Sequence, residues 1–124
     1  MHIATSSYRQ FRPSMGQPVA ISLTRPAWHP QAADWPGLAM LTPRWSYFRA
    51  DPEQFRESYL AQLARYGVTE ITGRLEEIGQ EFGADRVVLI CHESKEPVTA
   101  ATCHRRIFAE WWLSNAGNDI PEAP

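Results

Sequence analysis

Three consecutive segments decide the fold: RVVLIC (residues 86–91), HESKEPVTAAT (92–102) and CHRRIFAEWWLSN (103–115). The first is an uninterrupted apolar run rich in β-branched residues, which is typical of a strand buried on both faces in the middle of a parallel sheet. The second is a polar loop. The third follows Thr102, a good helix cap, and carries an apolar stripe at helical spacing. Strand, loop and helix in this order form half of an α/β unit, so the sequence predicts an α/β fold.

Two more strands and two more helices are predicted upstream. The strands are Ile3–Ser7 and Val19–Leu23, each bounded by turn-forming residues. One helix runs from Asp51 to Gly67 and another from Thr69 to Gly83, with capping residues at the starts and glycines at the ends. The apolar stripes of both are ordinary core faces. The predicted architecture is a small three-layer sandwich of order β-β-α-α-β-α with a short, mostly parallel sheet.

Length and composition are those of one soluble domain covering residues 1–124, with 44% hydrophobic and 21% charged residues. A domain of this size buries enough surface to fold without disulfides or metals. The sequence has no apolar run of the roughly 18 residues that a membrane span needs, and its first residues lack the apolar core of a signal peptide. We therefore expect a cytoplasmic protein that does not contact membranes.

Two segments are predicted to lie outside regular structure. Residues 26–43 form a long Pro- and Trp-rich loop, in which residues 38–41 make at most one or two helical turns. Loops of this length in small domains are often lids or binding segments, so Trp28, His29 and Trp35 are candidates to cover a site, or else pack the loop onto the core. Residues 118–124 are expected to be a flexible C-terminal tail.

The net charge of -2 hides an uneven distribution. Residues 1–49 carry +4 and residues 50–124 carry -6, and eleven of the twelve basic residues are arginine. Arginine suits bidentate recognition of phosphate or carboxylate, although a GC-rich genome produces the same bias. This balance permits a local anion site and argues against non-specific wrapping of nucleic acid.

Reactive residue types gather where the last strand meets the last helix. Cys91 ends the strand, and Cys103 and His104 begin the helix. The partial positive charge of a helix N-terminus favours a thiolate at Cys103 and holds an anion nearby. Arg105 and Arg106 are unfavourable in a first helical turn, which indicates a compensating anion. The candidates for that anion are Glu93, Glu96 and a ligand.

These residues allow several chemistries. Two Cys and two His could bind zinc, but Cys91 and His92 should point to opposite faces of their strand and no C-x-x-C motif is present, so we predict no metal. Cys91 and Cys103 could form a redox pair. The cluster could also be a catalytic or anion-binding site. The remaining interpretation is that both cysteines are small core residues and His104 satisfies a backbone group.

The strings VVLICHE and CHRRIFAEWW resemble the signature of the domain of unknown function 488 family, and TSSY (5–8) and AISLTRPAW (20–28) resemble its N-terminal segments. The resemblance covers most of the chain and implies a small three-layer α/β domain, but no established reaction. His92 and Arg106 are not carried by the motif, and the family's Ser-Arg-Gly is replaced after Ser22 by Leu-Thr-Arg. The site residues that the resemblance implies are Cys91, Glu93, Cys103, His104 and Arg105, with Ser6, Tyr8, Ser22 and Arg25 as further members.

We therefore expect a small cytoplasmic enzyme or enzyme-like protein that binds an anionic small molecule, possible ligands including a nucleotide or a nucleic-acid end. Arg105, Arg25 and the helix N-terminus would bind the anion, with Ser6, Tyr8 and Ser22 nearby. Cys103 or Cys91 would be the nucleophile or redox thiol, His104 the proton shuttle, and Glu93 would orient His104 or pair with Arg105. The alternatives are a non-catalytic nucleic-acid or protein binding module and a thiol redox or zinc protein. The sequence identifies neither a cofactor nor an oligomeric state.

Overall fold

The structure is a computed structural model, and the residues it describes are 1–92 and 104–123. The helices and strands within these ranges are β1 (His2–Ser7), β2 (Gln17–Ala20), α1 (Trp45–Phe48), α2 (Pro52–Phe82), β3 (Arg86–Cys91) and α3 (His104–Ala116). Short 3-10 turns at Pro13–Met15, Pro30–Asp34 and Ala39–Leu41 lie in the connections. No helix among these residues is both long enough and apolar enough to cross a bilayer.

The three strands form a parallel sheet in the order β1-β3-β2, which confirms the predicted α/β fold and the central place of β3. Ser7 lies opposite Cys91 and Ala20 opposite Ile90 at the carboxyl ends. An isolated bridge lies beside each outer strand, from Glu122 to β1 and from Gly37 to β2. These bridges protect edges that would otherwise present unpaired backbone groups.

Residues of β3 alternate between two cores. Val87, Leu89 and Cys91 face α2 and α3, whereas Val88 and Ile90 face the other side. All five are at most 1% exposed, as expected for a strand covered on both faces. The second face is covered by side chains from loops and 3-10 turns, which we call the loop layer: Tyr8, Phe11, Met15, Ala32 and Trp35. The three layers are thus helices, sheet and loops.

Helix α2 contains the two predicted helices joined by a kink. Asp51 caps its start by accepting a hydrogen bond from the backbone N–H of Gln54 at 3.0 Å. Gly67 interrupts the helical backbone with φ 82° and ψ 164°, a conformation that glycine adopts at low cost. Gly83 ends the helix with φ 63°. The predicted break at residue 67 is confirmed, but the second helix resumes without an intervening loop.

Strand β2 begins and ends earlier than Val19–Leu23. Pro18 lies inside it, which is tolerated because β2 is an edge strand and the missing N–H would face outward. The backbone N–H of Ile21 still donates to Ile90 O at 2.9 Å just beyond the strand.

The described part of the predicted flexible tail runs along β1. Thr5 N–H donates to Pro121 O at 3.0 Å, and Ala123 N–H donates to Thr5 O at 2.7 Å. Ile120 is 1% exposed and belongs to the helix-side core. These contacts bring Glu122 beside β1.

Candidate functional site

The described elements that follow β1 and β3 lie on opposite faces of the sheet. After β1 the chain passes into the loop layer at Tyr8, whereas α3, which follows β3, packs on the helix side. In parallel α/β sheets, ligands bind outside the carboxyl ends of the strands. The last residues of these strands, Ser7 and Cys91, lie opposite each other at this position.

On the helix side, the guanidinium group of Arg105 joins Cys91 to Glu122. Arg105 is fully buried, and its Nη1 lies 3.2 Å from Cys91 Sγ. Its Nε donates to both Glu122 carboxylate oxygens at 3.1 and 3.2 Å, and its Nη2 donates to Oε1 at 2.9 Å. The fork-shaped group therefore holds a carboxylate on one side and a thiol on the other.

The Glu122 carboxylate also accepts a hydrogen bond from the Thr5 hydroxyl and lies 3.6 Å from Arg106 Nη1. Burial raises the pKa of Glu122, but hydrogen bonds from Arg105 and Thr5 and the two guanidinium charges outweigh it and hold that pKa below its ordinary value. Among the described residues, two arginines thus share one carboxylate.

Glu122 is the residue that sequence reasoning missed. We expected Arg105 and Arg106 to meet Glu93, Glu96 or a ligand, and both of those acidic residues lie outside the described ranges. Among the described residues, a carboxylate from the predicted tail pairs with both arginines. The available signal was Ile120, a large apolar side chain in a tail that would otherwise have no reason to pack.

His104 is held against the core at the start of α3. Its Nε2 donates to Ile21 O at 2.7 Å, and its ring packs edge-on against Tyr59 with centroids 5.5 Å apart. Burial lowers the pKa of His104 to about 4, aided by the charges of Arg105 and His92 and opposed by the bond to Ile21. The sequence left open that His104 only satisfies a backbone group, and the hydrogen bond to Ile21 O is such a contact. His104 is neutral at pH 7, and its role as a proton shuttle stays a prediction.

On the loop side, a chain of hydrogen bonds joins the ends of all three strands. Ser22 Oγ donates to Thr24 O at 2.7 Å, so the Tyr8 hydroxyl must donate to Ser22 Oγ, 2.5 Å away. His92 Nε2 donates to the same Thr24 carbonyl at 2.8 Å. Burial raises the pKa of Tyr8, although its bond with Ser22 and the charge of Arg25 oppose this. Tyr8 is therefore a protonated donor at neutral pH.

The opposite orientations predicted for Cys91 and His92 are confirmed. Cys91 packs on the helix side, whereas the His92 ring lies 5.1 Å from the Tyr8 ring in the loop layer. His92 was not carried by the family resemblance, yet the structure places it with Tyr8 and Ser22, which were. The two faces of the sheet end thus carry two clusters that interact electrostatically, His92 with His104 and Cys91 with Tyr8.

Arg25 is hydrogen-bonded to the backbone of the long loop, and Ser6 is buried in β1. Arg25 Nη1 donates to the carbonyls of Ala32, Ala33 and Trp35 at 2.7, 3.1 and 2.6 Å, and so fastens the end of the Pro30–Asp34 turn. Ser6 is 2% exposed, and its hydroxyl has no hydrogen-bond partner among the described residues. An anion-binding role for either stays a prediction.

Cys103 and Glu93, two of the four predicted catalytic residues, lie outside the described residues. Within residues 1–92 and 104–123, no three His, Cys, Asp or Glu side chains are grouped so that they could hold a metal ion. Comparison of the chain with protein-family models, curated proteins and solved structures finds no match. That this chain belongs to the domain of unknown function 488 family therefore stays a prediction from its sequence motifs.

Proposed function

We propose that this chain is a small enzyme or enzyme-like protein that binds a phosphate- or carboxylate-bearing small molecule beside Cys91 and uses the thiol of that residue. The observation that carries the proposal is the 3.2 Å contact between Arg105 Nη1 and Cys91 Sγ at the carboxyl end of the central strand. A guanidinium N–H directed at sulfur favours the thiolate, which is the reactive form of cysteine.

The charge of the cluster supports an anionic ligand. Arg105 and Arg106 face one carboxylate, Glu122, among the described residues. The N-terminal end of the 13-residue helix α3 lies beside them and adds a partial positive charge. A phosphate or carboxylate could make charge-assisted hydrogen bonds with these groups.

The neighbouring groups limit the acid–base chemistry available at pH 7. Because the pKa of His104 is about 4, its ring is neutral there: its one N–H, at Nε2, is donated to Ile21 O, and Nδ1 is an acceptor. Tyr8 remains protonated and lies in the loop layer, on the other side of the sheet. Glu93 and Cys103, which the family resemblance adds to this site, would supply a carboxylate and a second thiol.

Protection of Cys91 from alkylation tests the proposal. In a Cys103→Ser variant, iodoacetamide should modify Cys91 slowly, because this thiol is 1% exposed, and inorganic phosphate should slow the reaction further in a saturable way. Adding Arg106→Lys should weaken the protection, whereas Arg56→Lys should not, since Arg56 pairs with Glu110 on the exposed surface. A native protein whose Cys91 does not react, or reacts at a rate independent of phosphate, would contradict the proposal.

A second candidate is a module that binds single-stranded nucleic acid by stacking and phosphate contacts. The observation in its favour is Trp28, which is 62% exposed in the basic front half of the chain. Trp35 is less available because it stacks on Tyr8. Binding of a short oligonucleotide that falls steeply with salt and is lost in Trp28→Ala, but not in Cys91→Ser, would favour this function.

A further inference from the structure

We propose a second ligand site, in the loop layer, for a small organic ammonium with a flat apolar body. The site is a groove of about 680 Å³ between this layer and the end of α2. Its volume lies within the range of small-molecule pockets. We call it the aromatic groove and define it by five of its lining residues: Phe11, His29, Asp34, Trp35 and Phe82.

The aromatic wall of the groove is held in place by contacts among its own rings and with Tyr8 and Arg25. The Trp35 ring stacks on Tyr8 with centroids 5.9 Å apart and planes 8° apart. Phe11 and His29 pack edge-on against Trp35 at 5.2 and 5.0 Å. The hydrogen bonds of Arg25 to Ala32, Ala33 and Trp35 carbonyls fasten the backbone that carries this wall. A preformed wall lowers the entropic cost of binding.

The opposite wall of the groove is formed by Phe82, whose ring is only partly covered by the described residues. Phe82, at the last position of α2, is 44% exposed and lines the groove. A large exposed ring beside other aromatic rings is informative, because polar surface residues would serve solubility better. The surface fits a flat apolar group.

The charge of the groove selects a cation. Asp34 is exposed, and no described Arg, Lys or His side chain lies within 4.0 Å of its carboxylate. Among the described residues that line the groove there is no Lys or Arg. Arg12, which follows Phe11 in the sequence, is exposed and is not part of the lining. Aromatic faces and a carboxylate together attract an ammonium group and repel an anion.

This site is independent of the proposed thiol site. Cys91 and Arg105 face the helix side of the sheet, whereas the groove lies on the loop side. It also accounts for two residues of the long loop that the sequence analysis singled out, His29 and Trp35, and leaves Trp28 outside the lining. The loop therefore acts as a wall of a binding site.

Three probes of matched shape test the inference: phenethylamine, which is a cation at pH 7, 2-phenylethanol, which is neutral, and 3-phenylpropionate, an anion. Binding is followed by two-dimensional NMR of the whole chain, with the Trp indole signals assigned by substitution. Phenethylamine should bind saturably and shift the Trp35 indole signal. The alcohol should bind about fivefold more weakly, as expected for loss of one cation contact, and the acid more weakly still.

Two variants of exposed residues locate the site. Asp34→Asn should weaken phenethylamine binding by about fivefold and leave binding of the alcohol unchanged, whereas Asp119→Asn, an exposed control, should change neither. Phe82→Ala should weaken both probes. Equal binding of the acid and the amine, full binding by Asp34→Asn, or shifts at Trp28 in place of Trp35 would overturn the proposal.

Discussion

At the scale of single residues, the cluster beside Cys91 depends on an ion pair between a buried arginine and a partly exposed carboxylate. Arg105 is 0% exposed and Glu122 is 35% exposed at the side chain. Removing one partner of a buried pair leaves the other charge without compensation, and this costs more than the pair itself contributes.

Glu122→Gln should therefore lower the free energy of unfolding by about 2 kcal/mol, below the range for fully buried pairs because water screens the exposed side of the carboxylate. Glu110→Gln is the matched control, because Glu110 pairs with Arg56 at the exposed surface, and it should change stability by less than about 0.5 kcal/mol. Urea unfolding at pH 7 measures both. Equal effects of the two variants would show that Glu122 makes no special contribution.

Two titratable groups with lowered pKa values, His104 and Glu122, make stability depend on pH. The pKa of His104 is lowered from 6.5 to about 4, so the unfolded chain binds more protons between these values and stability falls by about 3 kcal/mol as pH drops through them. The pKa of Glu122 is also lowered, so its stabilisation is present above the ordinary carboxyl pKa and is lost as the pH falls below it.

A His104→Gln variant should therefore lose most of the pH dependence between pH 6.5 and pH 4, as measured by urea unfolding across that range. His2→Gln is the control, since His2 is exposed, and it should keep the dependence of the native protein. An unchanged slope in His104→Gln would mean that this residue titrates normally in the folded state.

At the scale of elements, the sequence predicted the helices and strands well because their signals are local. Asp51, Gly67 and Gly83 act through the backbone of their own neighbours, and the apolar run of β3 specifies a strand covered on both faces. The start of β2 was less predictable, since Pro18 looks like a boundary and is tolerated only because the strand lies at an edge.

Two glycines of α2 should respond to alanine in opposite ways. Gly67 has φ 82°, so Gly67→Ala should destabilise the protein by about 1 kcal/mol or more. Gly73 lies inside the helix with open space around its Cβ position, so Gly73→Ala should stabilise by about 0.5–1 kcal/mol. Thermal unfolding measures both, and a stabilising Gly67→Ala would contradict the kink.

At the scale of the whole molecule, the contacts that the sequence did not reveal are those between distant segments. The bridge between Thr5 and Glu122 joins residues 117 positions apart, and no periodicity or motif encodes such a pairing. The three backbone acceptors of Arg25 can likewise be recognised only once the loop is folded. Local patterns predicted the elements, and long-range contacts determine the site.

The docking of the tail can be tested at Ile120. Because Ile120 is 1% exposed in the helix-side core, Ile120→Ala should destabilise the protein by about 2–4 kcal/mol. Leu113→Ala, at a residue that is 50% exposed on α3, should have a much smaller effect. Guanidinium unfolding compares the two, and a neutral Ile120→Ala would mean that the tail is not part of the core.

The central claim is that Arg105 stabilises a thiolate at Cys91, and the ultraviolet absorbance of thiolates near 240 nm tests it most directly. The sample is the Cys103→Ser variant at pH 7, with the Cys91→Ser, Cys103→Ser double variant as the background. Cys103→Ser should show a thiolate signal above this background, and the signal should decrease when Arg105→Lys is added. Absorbance equal to the background in Cys103→Ser would show that Cys91 carries no thiolate at pH 7.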